Sequence, residues 1–511
     1  MLVTSVRDID KQRLLASEQL DQDRRSELGQ FMTPSAVADF MALQFQNWPD
    51  EIRLLDPGAG IGSLTEAFTK RFVEKAVPGS KLHVSAFEIE KVLLKHLKKN
   101  LIDLRVQNSK HFVTHEVLEK DFILGNRLNK GDFTHVILNP PYKKILASSD
   151  YRKIMQGLGV EAPNLYVAFL ALSILFAKQD AEIVAIIPRS FCNGSYFLPF
   201  RKWLFNQVGL THIHVFRSRR NAFQDDKILQ ENIIIRLVKG AERDDVKISE
   251  SNDHSFTDYV ERTVSFNKVV EIDDKEMYIR VPDIQDTNLD LFTHTLSELR
   301  VEVSTGPVVD FRAKDSLLMN LEVSSVPLLY PHHFSNGEVV WPKLHKKANA
   351  LKITPVTSKL LMPRGWYLII KRFSSKEEKR RIVAHVVSPE KLKHSLYAFE
   401  NHLNVIHSNK QGISPELVYG LSVFLNSTLV DKHFRTFSGH TQVNATDLRN
   451  MRFPDMQTLL YFGQWAQNQS ALTQVSIDDF IMQYVRKQQT VASKSSASNS
   501  RKPRHAKSTA Q

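Results

Sequence analysis

The chain has 511 residues, of which 42% are hydrophobic, and a formal net charge of +12. This length is sufficient for two or three domains with separate cores. The longest apolar run, from Leu165 to Ala177, is too short to cross a bilayer, and the N-terminus is charged rather than signal-like. We therefore expect a cytoplasmic protein with no membrane partner.

The positive charge is unevenly distributed along the chain. Residues 486–511 contain seven basic residues and no acidic one, which leaves only about +5 for the rest. A basic excess favours a polyanionic partner such as nucleic acid. Solvated charge runs are also common at chain termini, so charge alone leaves both readings open.

A single cysteine, Cys192, limits the chemistry of the chain. One sulfur excludes an internal disulfide framework and a thiolate metal cage, and we expect no metal site. Enzymes that methylate cytosine at C5 attack the base with a thiolate, usually from a Pro-Cys pair. Because Cys192 instead lies between Phe191 and Asn193 in an apolar stretch, we interpret it as a buried structural residue.

Four segments follow one another along the chain. Residues 1–28 form a polar helical lead, 29–245 an α/β domain, 246–487 a second domain, and 488–511 a basic tail that we expect to be disordered. In the α/β domain short apolar runs alternate with longer amphipathic segments, which favours a parallel sheet wrapped by helices. The predicted strands are Ile52–Asp56, Leu82–Phe87, His135–Asn139, Ile183–Ile187, Ile213–Phe216 and Ile233–Leu237.

A glycine turn follows the first predicted strand and opens a helix. It consists of Asp56, Pro57, Gly58, Gly60 and Gly62, with alanine and isoleucine between the glycines. Glycines let the backbone approach a ligand closely, so we expect these five residues to bind a cofactor. The Gly-x-Gly-x-Gly spacing differs from the dinucleotide pattern, which disfavours a pyrophosphate cradle. A purely structural turn is the alternative.

Three further residues complete the pattern of a nucleoside site. Glu88 ends the next strand, where a carboxylate can accept both hydroxyls of a ribose. Asp121 and Phe122 follow a third candidate strand, where the carboxylate could bind an adenine amine while the ring packs on the base. A surface aspartate beside a core phenylalanine is an equally good interpretation of this pair alone.

The most specific motif is Asn139-Pro140-Pro141-Tyr142, which ends a strand with two consecutive prolines. The prolines fix the backbone, so that the Asn139 side chain and the Pro140 carbonyl can face one spot. An exocyclic amine is a poor nucleophile because its lone pair is delocalised into the ring, and two acceptors on its hydrogens favour the reactive geometry. Tyr142 could then stack against an extruded base. We assign all four residues to catalysis.

Together these motifs resemble a known family, the N6-adenine DNA methyltransferases of bacterial restriction-modification systems. In that family Asn-Pro-Pro-Tyr is the catalytic motif and Asp-Pro-x-x-Gly-x-Gly binds S-adenosylmethionine, and both occur here in the family's order. Gln30, Phe31, Thr33 and Pro34 are similar to the motif that contacts the methionine end of this cofactor. The position of this motif before the glycine turn matches the gamma subgroup of the family. Within that subgroup the chain most resembles methyltransferases of BsuBI and PstI type.

The resemblance implies a Rossmann-like S-adenosylmethionine-dependent methyltransferase domain over residues 29–245 and a mixed α+β DNA-recognition domain over 246–487. It implies site-specific methylation of adenine N6 in double-stranded DNA by base flipping and direct in-line transfer. This modification protects bacterial DNA from a cognate restriction endonuclease, which is a functional partner and need not bind the enzyme. The target sequence and the oligomeric state stay open.

Four substrate contacts are also implied by the resemblance. Phe223 corresponds to a second wall of the base pocket. Ser438, Gly439 and Asn444 lie in a segment similar to one in the recognition domains of gamma-type enzymes, where small polar residues suit phosphate and base-edge contacts. A polar loop that leads into a helix is the alternative interpretation of this segment.

Other functions use the same motifs. N4-cytosine methylation relies on the same amine chemistry, and Asn-Pro-Pro-Tyr also suits methylation of RNA or of a protein glutamine. The large C-terminal half argues against an enzyme that modifies protein. A DNA-binding protein with an inactive catalytic fold is a further alternative, which the intact Asn139, Pro140, Tyr142 and Glu88 disfavour.

Overall fold

The computed structural model describes residues 8–20, 32–107, 111–125, 129–217, 231–282, 291–335, 337–374, 378–438 and 442–499. The chain forms two compact units, Met1–Ile284 and Gln285–Gln511. Within the described ranges no helix is long and apolar enough to cross a membrane. Four of the predicted site residues, Gln30, Phe31, Phe223 and Gly439, lie outside these ranges.

A nine-stranded sheet forms the centre of the first unit. Its strands are β1 (Glu51–Pro57), β2 (Lys81–Phe87), β3 (Phe112–Leu118), β4 (Phe133–Leu138), β5 (Ala177–Pro188), β6 (Val208–Phe216), β7 (Asn232–Lys239), β8 (Val246–Ser251) and β9 (Val260–Val264). Their order is β3-β2-β1-β4-β5-β7-β6-β8-β9. The first five are parallel, whereas β7 runs antiparallel to both of its neighbours. All six predicted strands are confirmed, and the predicted parallel sheet holds for five strands.

Helices pack on this sheet and bury its central strands. They are α1 (Asp8–Gln19), α2 (Ser35–Leu43), α3 (Ser63–Lys75), α4 (Lys91–Gln107), α5 (Asp150–Gly157), α6 (Leu165–Phe176), α7 (Leu198–Phe205) and α8 (Phe266–Val269). The apolar run noted in the sequence is α6, which is buried nearly all round in the core. The Asn164 side chain caps this helix by accepting from the Val167 N–H at 3.3 Å.

The expected boundary at residue 245 is wrong, because the first unit continues to Ile284. β8 pairs with β6 and β9 pairs with β8, so residues beyond 245 extend the same sheet. The Ile279 N–H also donates to the Cys192 carbonyl at 2.9 Å. The charged stretch after Gly240 is thus a connection between two strands of one sheet. Cys192 is buried as expected, and burial raises the pKa of its thiol to about 12.

The second unit is a mixed α+β fold with two sheets. Its strands are β10 (Glu302–Thr305), β11 (Leu317–Leu318), β12 (Ser325–Leu329), β13 (Phe334–Ser335), β14 (Glu338–Val339), β15 (Ala350–Lys352), β16 (Met362–Pro363), β17 (Tyr367–Lys371), β18 (Ala384–Val387), β19 (Leu396–Phe399) and β20 (Leu403–His407). The larger sheet has the order β10-β20-β17-β18-β14-β13, and the smaller sheet has the order β11-β15-β12-β19-β16. Helices α9 (Pro415–Leu425), α10 (Thr428–Phe437), α11 (Ala445–Arg449), α12 (Met456–Gln467) and α13 (Gln474–Asn499) follow.

The last helix differs from the expectation of a disordered tail from residue 488. α13 is helical to Asn499. Residues 488–499 contain neither glycine nor proline and include several good helix formers, so a helix that begins upstream can continue through them despite their polar composition. Residues 500–511 lie outside the described part of the chain.

Candidate active site

The glycine turn links the end of β1 to the start of α3. Gly58, Gly60 and Gly62 have φ values of 77°, 61° and 92°, a region that side chains other than glycine adopt only with strain. The amides of Gly58 and Ala59 both donate to the Phe87 carbonyl, at 3.0 and 2.8 Å. These two amides therefore join the turn to the end of β2, and the three glycines provide the conformation that the turn requires.

Glu88 lies immediately after β2 and is 5% exposed. Its Oε2 accepts the Gly60 N–H at 2.8 Å, and its Oε1 accepts the N–H groups of Ile89 and Glu90, each at 2.8 Å. Burial raises the pKa of this carboxyl above its usual range, which the three backbone donors partly oppose. The carboxylate is thus fixed in place beside the glycine turn.

Asp56 is fully buried at the end of β1. Its Oδ2 accepts the Thr65 hydroxyl at 2.6 Å, while its Oδ1 has no partner within the part of the chain that the structure describes. Burial raises the pKa of this carboxyl to about 7. An unpartnered buried carboxylate oxygen is costly, and the other oxygen of Asp56 joins the end of β1 to the first turn of α3 through the Thr65 hydroxyl.

Asp121 and Phe122 lie beyond β3 and line the same cleft as Glu88. Asp121 Oδ1 accepts the amides of Ile123 and Leu124, each at 2.8 Å, and its Oδ2 accepts the Tyr151 hydroxyl at 2.7 Å. The buried Phe122 ring contacts Phe87 and Phe169, with centroids 5.0 and 5.1 Å away. Phe122 therefore belongs to both the core and the site, and Tyr151 is a partner that the sequence did not indicate.

The Asn139 side chain is held at both ends where β4 stops. Its Nδ2 donates to the Thr33 hydroxyl at 3.0 Å, and its Oδ1 accepts the Tyr142 hydroxyl at 3.2 Å. The Pro140 carbonyl accepts no hydrogen bond from the described residues. Thr33 was expected to bind the cofactor, which stays a prediction, and the structure shows that its hydroxyl holds the Asn139 amide.

Tyr142 is 8% exposed, and its ring meets that of Tyr166 edge to face with centroids 6.2 Å apart. The Tyr166 hydroxyl is in turn 2.9 Å from the Ser190 hydroxyl. Tyr166 and Ser190 therefore form a second layer of contacts behind the Tyr142 ring. The expected stacking of a base on Tyr142 stays a prediction.

One cleft brings most of these residues together, although Asp56 and Tyr142 are not among its lining residues. Its open space, counted out to the surrounding solvent, is about 780 Å³. A Cβ placed on Gly58 would lie 4.0 Å from the Asn139 carbonyl oxygen, so the turn and the catalytic motif are neighbours. The lining includes Thr33, Gly58, Gly60, Glu88, Asp121, Phe122, Asn139, Pro140 and Pro141.

The N-terminal helix α1 supports this cleft, a role that the sequence analysis missed. Asp10 Oδ1 accepts the Ser35 N–H at 3.0 Å, and its Oδ2 accepts the Ser35 hydroxyl. Ile9 packs in a cluster with Met32, Ile61 and Leu93, which line the cleft. The buried residues Ile9, Arg13 and Ala16 share one helical face, but because one of the three is charged, the sequence shows no clear apolar stripe there.

In the second unit, the structure contradicts the predicted DNA contact of Ser438. This residue is 2% exposed, and its Oγ and carbonyl accept from the buried Arg381 guanidinium at 3.3 and 3.5 Å. Its small side chain thus completes an interior hydrogen-bond group. Asn444 is half-buried at the start of α11, where its N–H donates to Asp447 at 2.9 Å, and its DNA contact stays a prediction.

Comparison with known proteins places this geometry in a family. Residues 13–223 match the Eco57I restriction-modification methylase family. The chain is 44% identical over 486 residues to the type II methyltransferase M.BsuBI of Bacillus subtilis, an alignment that covers 92% of this chain and 96% of that one. The chain belongs to the type II methyltransferases. This methyltransferase is also 40% identical over 470 residues to M.PstI of Providencia stuartii, covering 88% and 92% of the two chains.

A solved structure shares the fold of the methyltransferase. The type IIL restriction-modification enzyme MmeI, solved in complex with DNA, aligns with a TM-score of 0.51 and 12% identity over 90% of this chain and 70% of that one. At this identity the likeness concerns the fold alone.

The methyltransferase uses S-adenosylmethionine as its methyl donor, and the residues of the cleft fit this molecule. Glu88 offers a fixed carboxylate for ribose hydroxyls, and Phe122 offers an apolar surface for the adenine ring.

The pKa of Asp56 predicts an effect of pH on stability. In the unfolded chain this carboxyl ionises near 3.8, whereas in the folded chain it ionises near 7. Between these values the folded state binds more protons, so stability falls as pH rises through this window. Urea unfolding of the Asp56→Asn variant should show a weaker decline than wild type from pH 4 to 7. Parallel curves for the two proteins would contradict this, and the exposed Asp103→Asn should behave as wild type.

Proposed function

We propose that this methyltransferase modifies the N6 amine of adenine in double-stranded DNA, as the modification partner of a restriction endonuclease. The Asn139 to Tyr142 motif beside the glycine turn is the observation that carries the proposal. The relatives support it as well, since they are type II methyltransferases and a restriction-modification methylase family.

The arrangement of acceptors supports an exocyclic amine as the nucleophile. The Asn139 Oδ1 and the Pro140 carbonyl belong to consecutive residues on the wall of the cleft, so an amine there can donate one hydrogen to each. When these two oxygens accept both hydrogens of the amine, the nitrogen lone pair is drawn out of conjugation with the ring. The same two hydrogen bonds stabilise the positive charge that develops on the nitrogen. When bound, S-adenosylmethionine supplies an electrophilic methyl group for direct transfer.

Thr33 and Tyr142 orient these acceptors before the substrate arrives. The Thr33 hydroxyl holds the Nδ2 end of the Asn139 amide, which leaves the oxygen end to face the amine. Such preorganisation avoids the cost of reorienting a dipole during the reaction. Because the N6 amine of a stacked adenine cannot enter a cleft, the proposal includes extrusion of the base from the duplex.

The identity of the modified nucleoside tests the proposal. DNA from cells that express the chain should contain N6-methyladenine after enzymatic digestion and chromatography, and sequencing that detects modified bases should place it at one short motif. N4-methylcytosine in its place would reject the adenine assignment while keeping the amine chemistry. If labelled methyl groups entered only RNA or protein, the DNA substrate itself would be wrong.

Substitutions at the Asn139 hydrogen bonds test the mechanism. We expect Asn139→Ala to abolish methylation and the isosteric Thr33→Val to lower the turnover number about tenfold, because one orienting hydrogen bond is lost. Calorimetry should show that both variants still bind S-adenosylmethionine.

The control for this pair is Thr114→Val, which removes an exposed hydroxyl on the edge strand β3 that pairs with half-buried His83 on β2. It should leave turnover unchanged. A Thr33→Val variant as active as wild type would show that the Asn139 amide needs no such orientation.

A further inference from the structure

A loop of residues 341–349 joins β14 to β15 in the second unit. Its sequence, Trp-Pro-Lys-Leu-His-Lys-Lys-Ala-Asn, contains three lysines and no acidic residue. Near its centre, Leu344 is fully exposed. A leucine in this position contributes no buried area to the fold, and exposed apolar groups beside charged ones are typical of interaction surfaces.

The loop is held firmly by its last residue. The buried Asn349 accepts the Lys343 N–H at 3.0 Å through Oδ1 and donates to the Lys343 carbonyl at 3.0 Å through Nδ2. The Asn349 carbonyl accepts the Trp341 indole N–H at 2.7 Å. Leu344 therefore projects from a clamped loop, so contact with a partner would require little ordering of the backbone.

A neighbouring segment adds a second exposed apolar group. Lys347 forms an ion pair with Asp310, which ties the loop to the short helix at that position. The next residue, Phe311, is 76% exposed, and the Arg312 guanidinium lies 5.5 Å from its ring centroid. We refer to residues 310–312 and 341–349 together as the basic patch.

The cations of the basic patch divide into two groups. Lys347 is paired with Asp310, and the Lys343 ammonium donates to the His332 carbonyl at 3.0 Å, so these two hold the structure together. Lys346 and Arg312 form no ion pair with any described residue. Cations without an ion pair, placed around exposed apolar side chains, complement a polyanion that also offers apolar surface. Duplex DNA is such a partner, because it presents both phosphates and base edges.

We propose that the basic patch contacts the DNA substrate, with Lys346 and Arg312 on phosphates and Leu344 in apolar contact inside a groove. The inference rests on the proposed function, since it takes DNA as the substrate. It replaces the buried Ser438 with accessible residues as the DNA contacts of this unit.

Equilibrium binding of the full chain to a fluorescent duplex tests the proposal. The duplex carries a site that the wild-type chain methylates, and anisotropy is measured over a series of salt concentrations. We expect Lys346→Gln to weaken binding and to reduce the slope of log affinity against log salt by about 0.9, which is the release expected from one phosphate contact. Leu344→Ala should weaken binding on the order of tenfold with an unchanged slope.

Matched controls come from exposed positions on helices of the same unit. Lys432→Gln on α10 and Val475→Ala on α13 should leave both affinity and slope unchanged. All four substitutions are at exposed side chains, and thermal unfolding should show that each variant folds as wild type does.

Unchanged DNA binding by both Lys346→Gln and Leu344→Ala would overturn the inference while leaving the proposed function intact. If Leu344→Ala instead altered the sedimentation of the protein without affecting DNA binding, the patch would be a contact between copies of the chain, and the inference would again be wrong. Failure of the wild-type chain to bind any duplex would reject the proposed function itself.

Discussion

The parallel pairing of β1 with β4 brings the glycine turn and the catalytic motif to the same edge of the sheet. Leu54 pairs with His135 and Leu55 with Val136, so both strands end on one side. In such sheets ligands bind where the carboxyl ends of neighbouring strands meet. Because the glycine turn and the Asn139 motif follow adjacent strands, the pairing of these strands determines how far apart the two segments begin.

The buried groups of the site depend on this edge. Glu88 and Asp56 both lose the hydration that water would provide, and burial raises the pKa of each carboxyl. Glu88 is compensated by three backbone amides, whereas Asp56 keeps one oxygen without a described partner. The fold thus retains a costly buried polar group at the end of β1, next to the glycine turn.

Much of this arrangement could be predicted from the sequence because its signals are local. Buried parallel strands are short apolar runs, and the turn after β1 needs glycine at three positions with positive φ. The paired prolines likewise end β4 where a strand must stop. Gly58, Gly60 and Asn139 to Pro141 therefore line one cleft as expected, whereas Asp56, Pro57, Gly62 and Tyr142 are not among its lining residues.

What the sequence could not show depends on contacts between distant residues. The bond between Thr33 and Asn139 spans 106 positions, and that between Asp121 and Tyr151 spans 30. The end of the first unit was misplaced because β8 follows a charged stretch that is typical of a linker. Ser438 was assigned to DNA because a small polar residue fits a surface loop and a buried hydrogen-bond group equally well.

A crystal structure with S-adenosylhomocysteine, the product of the methyl donor, would show whether the glycine turn and the Asn139 motif serve one reaction. We expect the ribose to lie on Glu88, the adenine ring beside Phe122, and the sulfur to face Asn139 and Pro140. Density for the ligand away from the glycine turn, or a sulfur turned from the Asn139 side chain, would contradict this expectation.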